Sequence, residues 1–188
     1  MTGTESQRVR MLLWWPGLAG VLFAAGMIVL LWIGRADAAT AADILTAAAF
    51  VYLGSAALGH RGAAWPLFGL TFVLIGIGLA VRPFPAFLVM VLLGAVLAVY
   101  GVIRGRLRPA DGLPLQTAAM TAVLLLVLLA GALGGPWPGI LAGVGLFAHA
   151  LWDVRHLRTR RVVAPSMAEF CAALDLVLAV GVVVVSLR

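Results

Sequence analysis

The sequence predicts an all-α integral membrane protein, a bundle of seven transmembrane helices with its N-terminus in the cytoplasm and its C-terminus outside. Three observations lead there. Of 188 residues, 64% are hydrophobic and 11% charged, with a mean hydropathy of +1.14, more apolar surface than a soluble domain of this size can keep from water. The apolar runs are about 20 residues long rather than alternating ten-residue segments, which selects helices over a barrel. The arginines gather in every second connection, which orients the chain.

The first segment, 9–34, ends at "GRADAAT". Its apolar run is longer than the core of a signal peptide, so it reads as an uncleaved membrane helix despite "ADA" at 36–38. The second, 41–59, closes at "GHRGAAWP", and the third, 65–82, stops at Arg82 and Pro83 and is near the shortest length that spans. "RPFP" is so short a link that the third and fourth segments (84–105) are expected to form a tight antiparallel hairpin. "RGRLRPADGLP" leads to the fifth, 114–134, "GGPWPG" to the sixth, 137–158, and "RHLRTRRVVAPS" to the seventh, 167–187. The links leave no room for a soluble unit, so 1–188 reads as a single transmembrane domain.

The side holding the N-terminus and the second, fourth and sixth links carries Arg8, Arg10, Arg61, Arg104, Arg106, Arg108, Arg155, Arg158, Arg160 and Arg161. The other side has Arg35, Arg82 and Arg188. An excess of arginine marks the cytoplasmic side. Trp14, Trp15, Trp65, Tyr100 and Trp152 fall near the predicted inner ends, Trp32 and Trp137 near the outer ones. The pI of 11.3 reflects these short-loop arginines facing anionic lipid headgroups, so no nucleic-acid partner is expected. No lysine is present, which excludes a side-chain Schiff base. One cysteine, Cys171, excludes an intrachain disulfide and multi-cysteine metal sites. Runs such as "GLAGVLFAAG" and "GILAGVG" suit close helix packing, and "WPGLAGVLFA" (15–24) echoes "WPGILAGVGLFA" (137–148) in an oppositely directed helix, as in an inverted repeat.

The polar residues of interest lie in "HALWDVRH". At 100° per residue, Asp153 sits about 40° from His149 and His156 about 20° to its other side, so the three form one stripe. Arg155 points away. On the seventh segment, Cys171 and Asp175 share a face with Glu169 opposite, and the antiparallel neighbour relation puts Asp175 at the depth of His149. The remaining histidine, His60, ends the second segment. Ionisable groups inside a bilayer are costly and usually functional. Imidazoles and carboxylates at this spacing suit a divalent metal such as zinc, manganese or iron, with His149, Asp153 and His156 as ligands. Asp175 is then the candidate catalytic residue, a general base or a carboxylate behind the ligands. The blander readings are a solvated His156, an ion pair of Asp153 with Arg61 or Arg155, a His149–Asp175 hydrogen bond, and an apolar filler role for Cys171. Ser55 and Thr46 are expected to bond their own helix backbone.

The ending resembles a signature of small polytopic bacterial membrane proteins of uncharacterised activity, H-x-x-W-D-x-x-H followed by a proline, F-C and an aspartate. Here these are His149, Trp152, Asp153, His156, Pro165, Phe170, Cys171 and Asp175. The resemblance implies a location in the bacterial inner membrane and a site, without naming its chemistry. A weaker resemblance is to alkaline ceramidase-like transmembrane hydrolases, which hold zinc at the cytoplasmic face with histidines that include an H-x-x-x-H pair. This chain has H-x-x-x-D at His149 and Asp153, with His60 as a further ligand and Ser55 just before it. The motif's place on the sixth segment and an inward N-terminus depart from that family.

The expected function is therefore a polar, metal-binding site at the cytoplasmic face, serving a metal-dependent hydrolase of a lipid-like substrate, with arginines of the last link holding its headgroup. A proton-coupled small-molecule transporter and a non-catalytic membrane scaffold subunit are the alternatives.

Overall fold

The computed structural model describes the backbone of residues 3–188 apart from 82, 110 and 111, with side chains from residue 15 onward. The expectations resting on the Arg8, Arg10 and Trp14 side chains and on Arg82 lie outside the described residues. The described chain is all-helical: α1 (Gly3–Trp32), α2 (Ala38–Leu58), α3 (Ala64–Ala80), α4 (Ala86–Ile103), α5 (Leu113–Ala132), α6 (Trp137–Thr159) and α7 (Pro165–Ser186). A single 3₁₀ turn at Arg61–Ala63 precedes α3.

Six spans are long and apolar enough to cross a membrane: α1, α2, α4, α5, α7, and α3 taken with the turn before it. Leu18, Leu22, Val96, Ile103 and Leu125 turn their side chains outward, a surface that only lipid can cover at this extent. That is the make-up of a multi-pass membrane protein. The expected sixth segment does form a helix of 23 residues, but His149, Trp152, Asp153, Arg155 and His156 make it less apolar than its neighbours.

The helices are arranged around α2, in which 15 of 21 residues are buried. It starts on a capping box, with Thr40 N–H donating to Asp37 Oδ1 at 2.9 Å and Asp37 N–H to Thr40 Oγ1 at 3.3 Å. It ends on Gly59 in the left-handed region, φ +65°. Nine of its residues are alanine, so the helix is thin and α3, α4, α5 and α6 all pack against it. Thr46 and Ser55 donate to the carbonyls of Ala42 and Val51, each at 2.8 Å, as expected of hydroxyls without water. The α3–α4 pair departs from the expected tight hairpin: each packs mainly on α2, and the two touch each other little. The burial available against α2 outweighs the shortness of the link.

On the other side, α7 lies between α1 and α6. Glycines set these approaches. A Cβ at Gly20 would collide with the carbonyl of Phe170, and one at Gly143 would press on Val183 Cγ2 and lie 3.0 Å from the carbonyl of Ala179. Aromatic rings then tie α1, α3 and α7 together, with Phe23 edge-on to Phe68, Phe72 and Phe170 at centroid separations of 6.0, 5.7 and 6.1 Å.

The connections alternate between two ends. The α2–α3, α4–α5 and α6–α7 connections meet at one end, and the α1–α2 and α5–α6 connections meet beside the last turn of α7 at the other. Arg188 lies over the Trp32 ring at that second end, 3.3 Å from its centroid.

Backbone contact at Gly20 leads to a first prediction. Gly20→Val should cost about 1–3 kcal/mol by overpacking, lowering the thermal midpoint in detergent by roughly 2–4 °C per kcal/mol. Gly26→Val, on the same helix with nothing within 4 Å, should leave the midpoint unchanged. Equal midpoints for the two variants would refute the α1–α7 packing.

Candidate metal centre

α6 aligns His149 and Asp153 one turn apart on its buried face, and α7, running back beside it, brings Asp175 to the same depth. All three side chains are buried, with Asp153 0% and Asp175 1% exposed. His149 Nδ1 lies 3.0 Å from Asp175 Oδ2, as a hydrogen bond, and 3.4 Å from Asp153 Oδ2. One atom from each of the three residues falls in a group no more than 4.8 Å across.

The other oxygens complete the picture. Tyr52, on α2, donates its hydroxyl proton to Asp153 Oδ1 at 2.6 Å. This fixes the carboxylate plane and leaves Oδ2 turned toward His149. Asp153 Oδ2 and Asp175 Oδ1 are buried and have no hydrogen-bond partner. A buried oxygen left unbonded is expensive, at about 1–3 kcal/mol and more if charged.

A divalent ion would suit those residues once His149 Nδ1 gave up the proton of its hydrogen bond to Asp175 Oδ2. Ligands about 2.1 Å from a tetrahedral ion are about 3.4 Å apart, which is the His149–Asp153 separation. Two carboxylates also balance one divalent charge, so the filled site would carry no net charge where lipid surrounds it. Tyr52 then plays the part of an outer partner that orients a ligating carboxylate. Two protons on the same three groups balance the charge equally well.

His156 is placed elsewhere. Its Nδ1–H donates to the carbonyl of Trp152 at 2.9 Å, so Nε2 is the acceptor for the Gln116 amide at 3.2 Å. Trp152 Nε1–H in turn donates to Gln116 Oε1 at 3.3 Å. Both nitrogens of His156 are occupied, and the third member of the group beside His149 and Asp153 is Asp175. The Tyr52 ring separates the two imidazoles, edge-on to His149 at 5.3 Å and to His156 at 4.8 Å between centroids.

The remaining residues singled out in the sequence stay outside. Arg61 donates to the carbonyl of Arg160 at 2.6 Å, and Arg155 lies over the Trp152 ring, so the bonds these arginines make lead away from Asp153. His60 is exposed at the start of the 3₁₀ turn. Glu169 faces Gly17 of α1. Cys171 is buried with its thiol 3.5 Å from Met167 Sδ.

Sequence reasoning passed over Tyr52 and Gln116. Tyr52 is the one tyrosine of α2 and Gln116 the one amide side chain of α5; unlike the hydroxyls beside them, both are long enough to bond beyond their own helix, which is the signal that would have found them.

Next to the site is a partly open cavity of about 230 Å³ between α1, α2, α3 and α7. Its walls are apolar, among them Phe23, Ala48, Val51 and Phe68, and Asp175 is part of them. No family model, curated protein or solved structure matches the chain.

The Tyr52 bond carries a second prediction. Tyr52→Phe leaves Asp153 with neither oxygen hydrogen-bonded and should destabilise the protein by about 1–3 kcal/mol. Tyr100→Phe, at an exposed ring, should not. Thermal unfolding of the two variants side by side decides it, and an unperturbed Tyr52→Phe would remove that hydroxyl from the site.

Proposed function

We propose that the chain is a seven-span protein of the bacterial inner membrane in which His149, Asp153 and Asp175 hold a divalent metal, zinc, manganese or iron, and that it hydrolyses a lipid-like substrate. One observation carries the reading: Asp175 belongs both to the three-residue donor group and to the wall of the apolar cavity. A group that reacts with lipid must present polar ligands at the edge of a space that accepts hydrocarbon. When bound there, the metal would supply a water of lowered pKa as nucleophile. The chain's own residues orient Asp153 through Tyr52, keep bulk water out, and receive the apolar part of the substrate between α1 and α3.

Counting α6 as the seventh span has physical support. At 1.5 Å per residue its 23 residues cover about 34 Å. Its polar stripe is turned inward to α2, α5 and α7, while Val144, Phe147 and Leu151 face outward. With seven spans the chain is one transmembrane domain. The arginine-rich end is then cytoplasmic, which puts the N-terminus inside and the C-terminus outside. The two unbonded carboxylate oxygens favour a second reading, proton-coupled transport of a small molecule through the same residues.

Elemental analysis of detergent-purified protein tests the proposal. After incubation with zinc, manganese or iron and removal of excess, wild type should retain about one ion per chain, the stoichiometry of a single three-ligand site. Asp153→Asn and Asp175→Asn should lose it, and His156→Gln should keep it. In proteoliposomes the loaded protein should release fatty acid from a fluorescent lipid. Ala48→Leu, which narrows the cavity, should slow that release without removing the ion. No ion in wild type would overturn the metal reading, and proton-dependent uptake abolished by Asp153→Asn would replace it with transport.

A further inference from the structure

At the end where the α2–α3, α4–α5 and α6–α7 connections meet there is a second cavity, of about 410 Å³. Five arginines line it: Arg61, Arg106, Arg108, Arg160 and Arg161. We infer that this cavity is a binding site for a phosphate-bearing anion, independent of the metal centre.

Arginines that serve only to orient a membrane protein need to be on the correct side and no more. Arg104, Arg155 and Arg158 are at the same end and do not line this space. The five that do come from three separate connections and converge on one concavity. Among the described lining residues there is no carboxylate. The single acidic residue of the α4–α5 connection, Asp111, lies outside the described residues. Arg161 has an interaction of its own; Arg61, Arg106, Arg108 and Arg160, gathered this way, repel one another, and an anion among them lowers that repulsion. Guanidinium groups offer paired N–H donors that match phosphate oxygens, and they are always charged.

Several of these groups are held by the backbone. The Arg106 guanidinium rests over Gly59, and a Cβ at that position would run into it. Gly59 therefore serves twice, as the left-handed residue that ends α2 and as the seat of Arg106. Arg61 donates to the carbonyl of Arg160 at 2.6 Å. Arg160, at φ +51°, closes α6 with its N–H bonded to the carbonyl of His156 at 2.8 Å. Val162 stands at φ +69°, a region that β-branched residues rarely enter, while Val163 beside it is fully buried. The connection is thus pinned in a conformation its own side chains disfavour, a form of strain found at ligand clamps.

Isothermal titration of the full chain in dodecyl maltoside tests the site, with dioctanoyl phosphatidate, dioctanoyl phosphatidylcholine and inorganic pyrophosphate as probes. Phosphatidate or pyrophosphate should bind saturably, and phosphatidylcholine at least about tenfold more weakly, because its choline cancels the charge the arginines seek. Arg61→Gln/Arg106→Gln should weaken binding at least about tenfold, while Arg104→Gln/Arg158→Gln should not. Gly59→Ala should weaken it through displacement of Arg106, and Arg108→Gln gives an independent variant if that one unfolds. Tighter binding of phosphatidate than of pyrophosphate assigns the site to a lipid headgroup, and the reverse assigns it to a soluble phosphate compound. Absence of saturable binding, equal binding of phosphatidylcholine, or wild-type affinity in the Arg61/Arg106 variant would overturn the inference.

Discussion

Two carboxylates held out of water inside an apolar bundle are the constraint on which the remaining structure depends. Lipid offers them no solvation, so Asp153 and Asp175 must obtain both hydrogen bonds and balancing charge from the protein or from what it binds. The protein supplies the Tyr52 hydroxyl and the His149 ring, which satisfy two of the four oxygens. The remaining two, Asp153 Oδ2 and Asp175 Oδ1, have no hydrogen-bond partner.

The packing follows from that requirement. Tyr52 reaches Asp153 because α2 runs through the middle of the helices, and α2 fits there because its alanines keep it thin. Asp175 reaches His149 because glycines such as Gly143 let α6 and α7 approach at backbone distance. The Gln116–His156–Trp152 network then closes the arginine-rich side of the site with hydrogen bonds of its own. On the opposite side the wall is hydrocarbon. The polar centre therefore lies between a polar plug and an apolar cavity, the asymmetry on which the proposed lipid-like substrate rests.

Much of this was legible in the sequence, and for a physical reason. Hydrocarbon enforces long apolar helices, so their positions and their punctuation can be read directly, as "GHRGAAWP" and "GGPWPG" show. Helical periodicity likewise placed His149 and Asp153 on one stripe, and a short connection set Asp175 opposite them. The same periodicity grouped His156 with them, and nothing local could reveal that Gln116, 40 residues away, occupies its ring. The Tyr52–Asp153 bond joins residues 101 apart, and which helix lies against α6 is decided by packing rather than by spacing. The α3–α4 pair makes the same point: a five-residue link limits how far two helices can separate, but burial against a third helix decides how they lie.

X-ray absorption at the metal edge of zinc-loaded protein examines the central claim most directly. The account predicts one imidazole nitrogen and carboxylate oxygens at about 2.0–2.2 Å, completed by solvent, with no sulfur from Cys171. A sulfur shell at about 2.3 Å, a second imidazole, or no ordered zinc at all would contradict it.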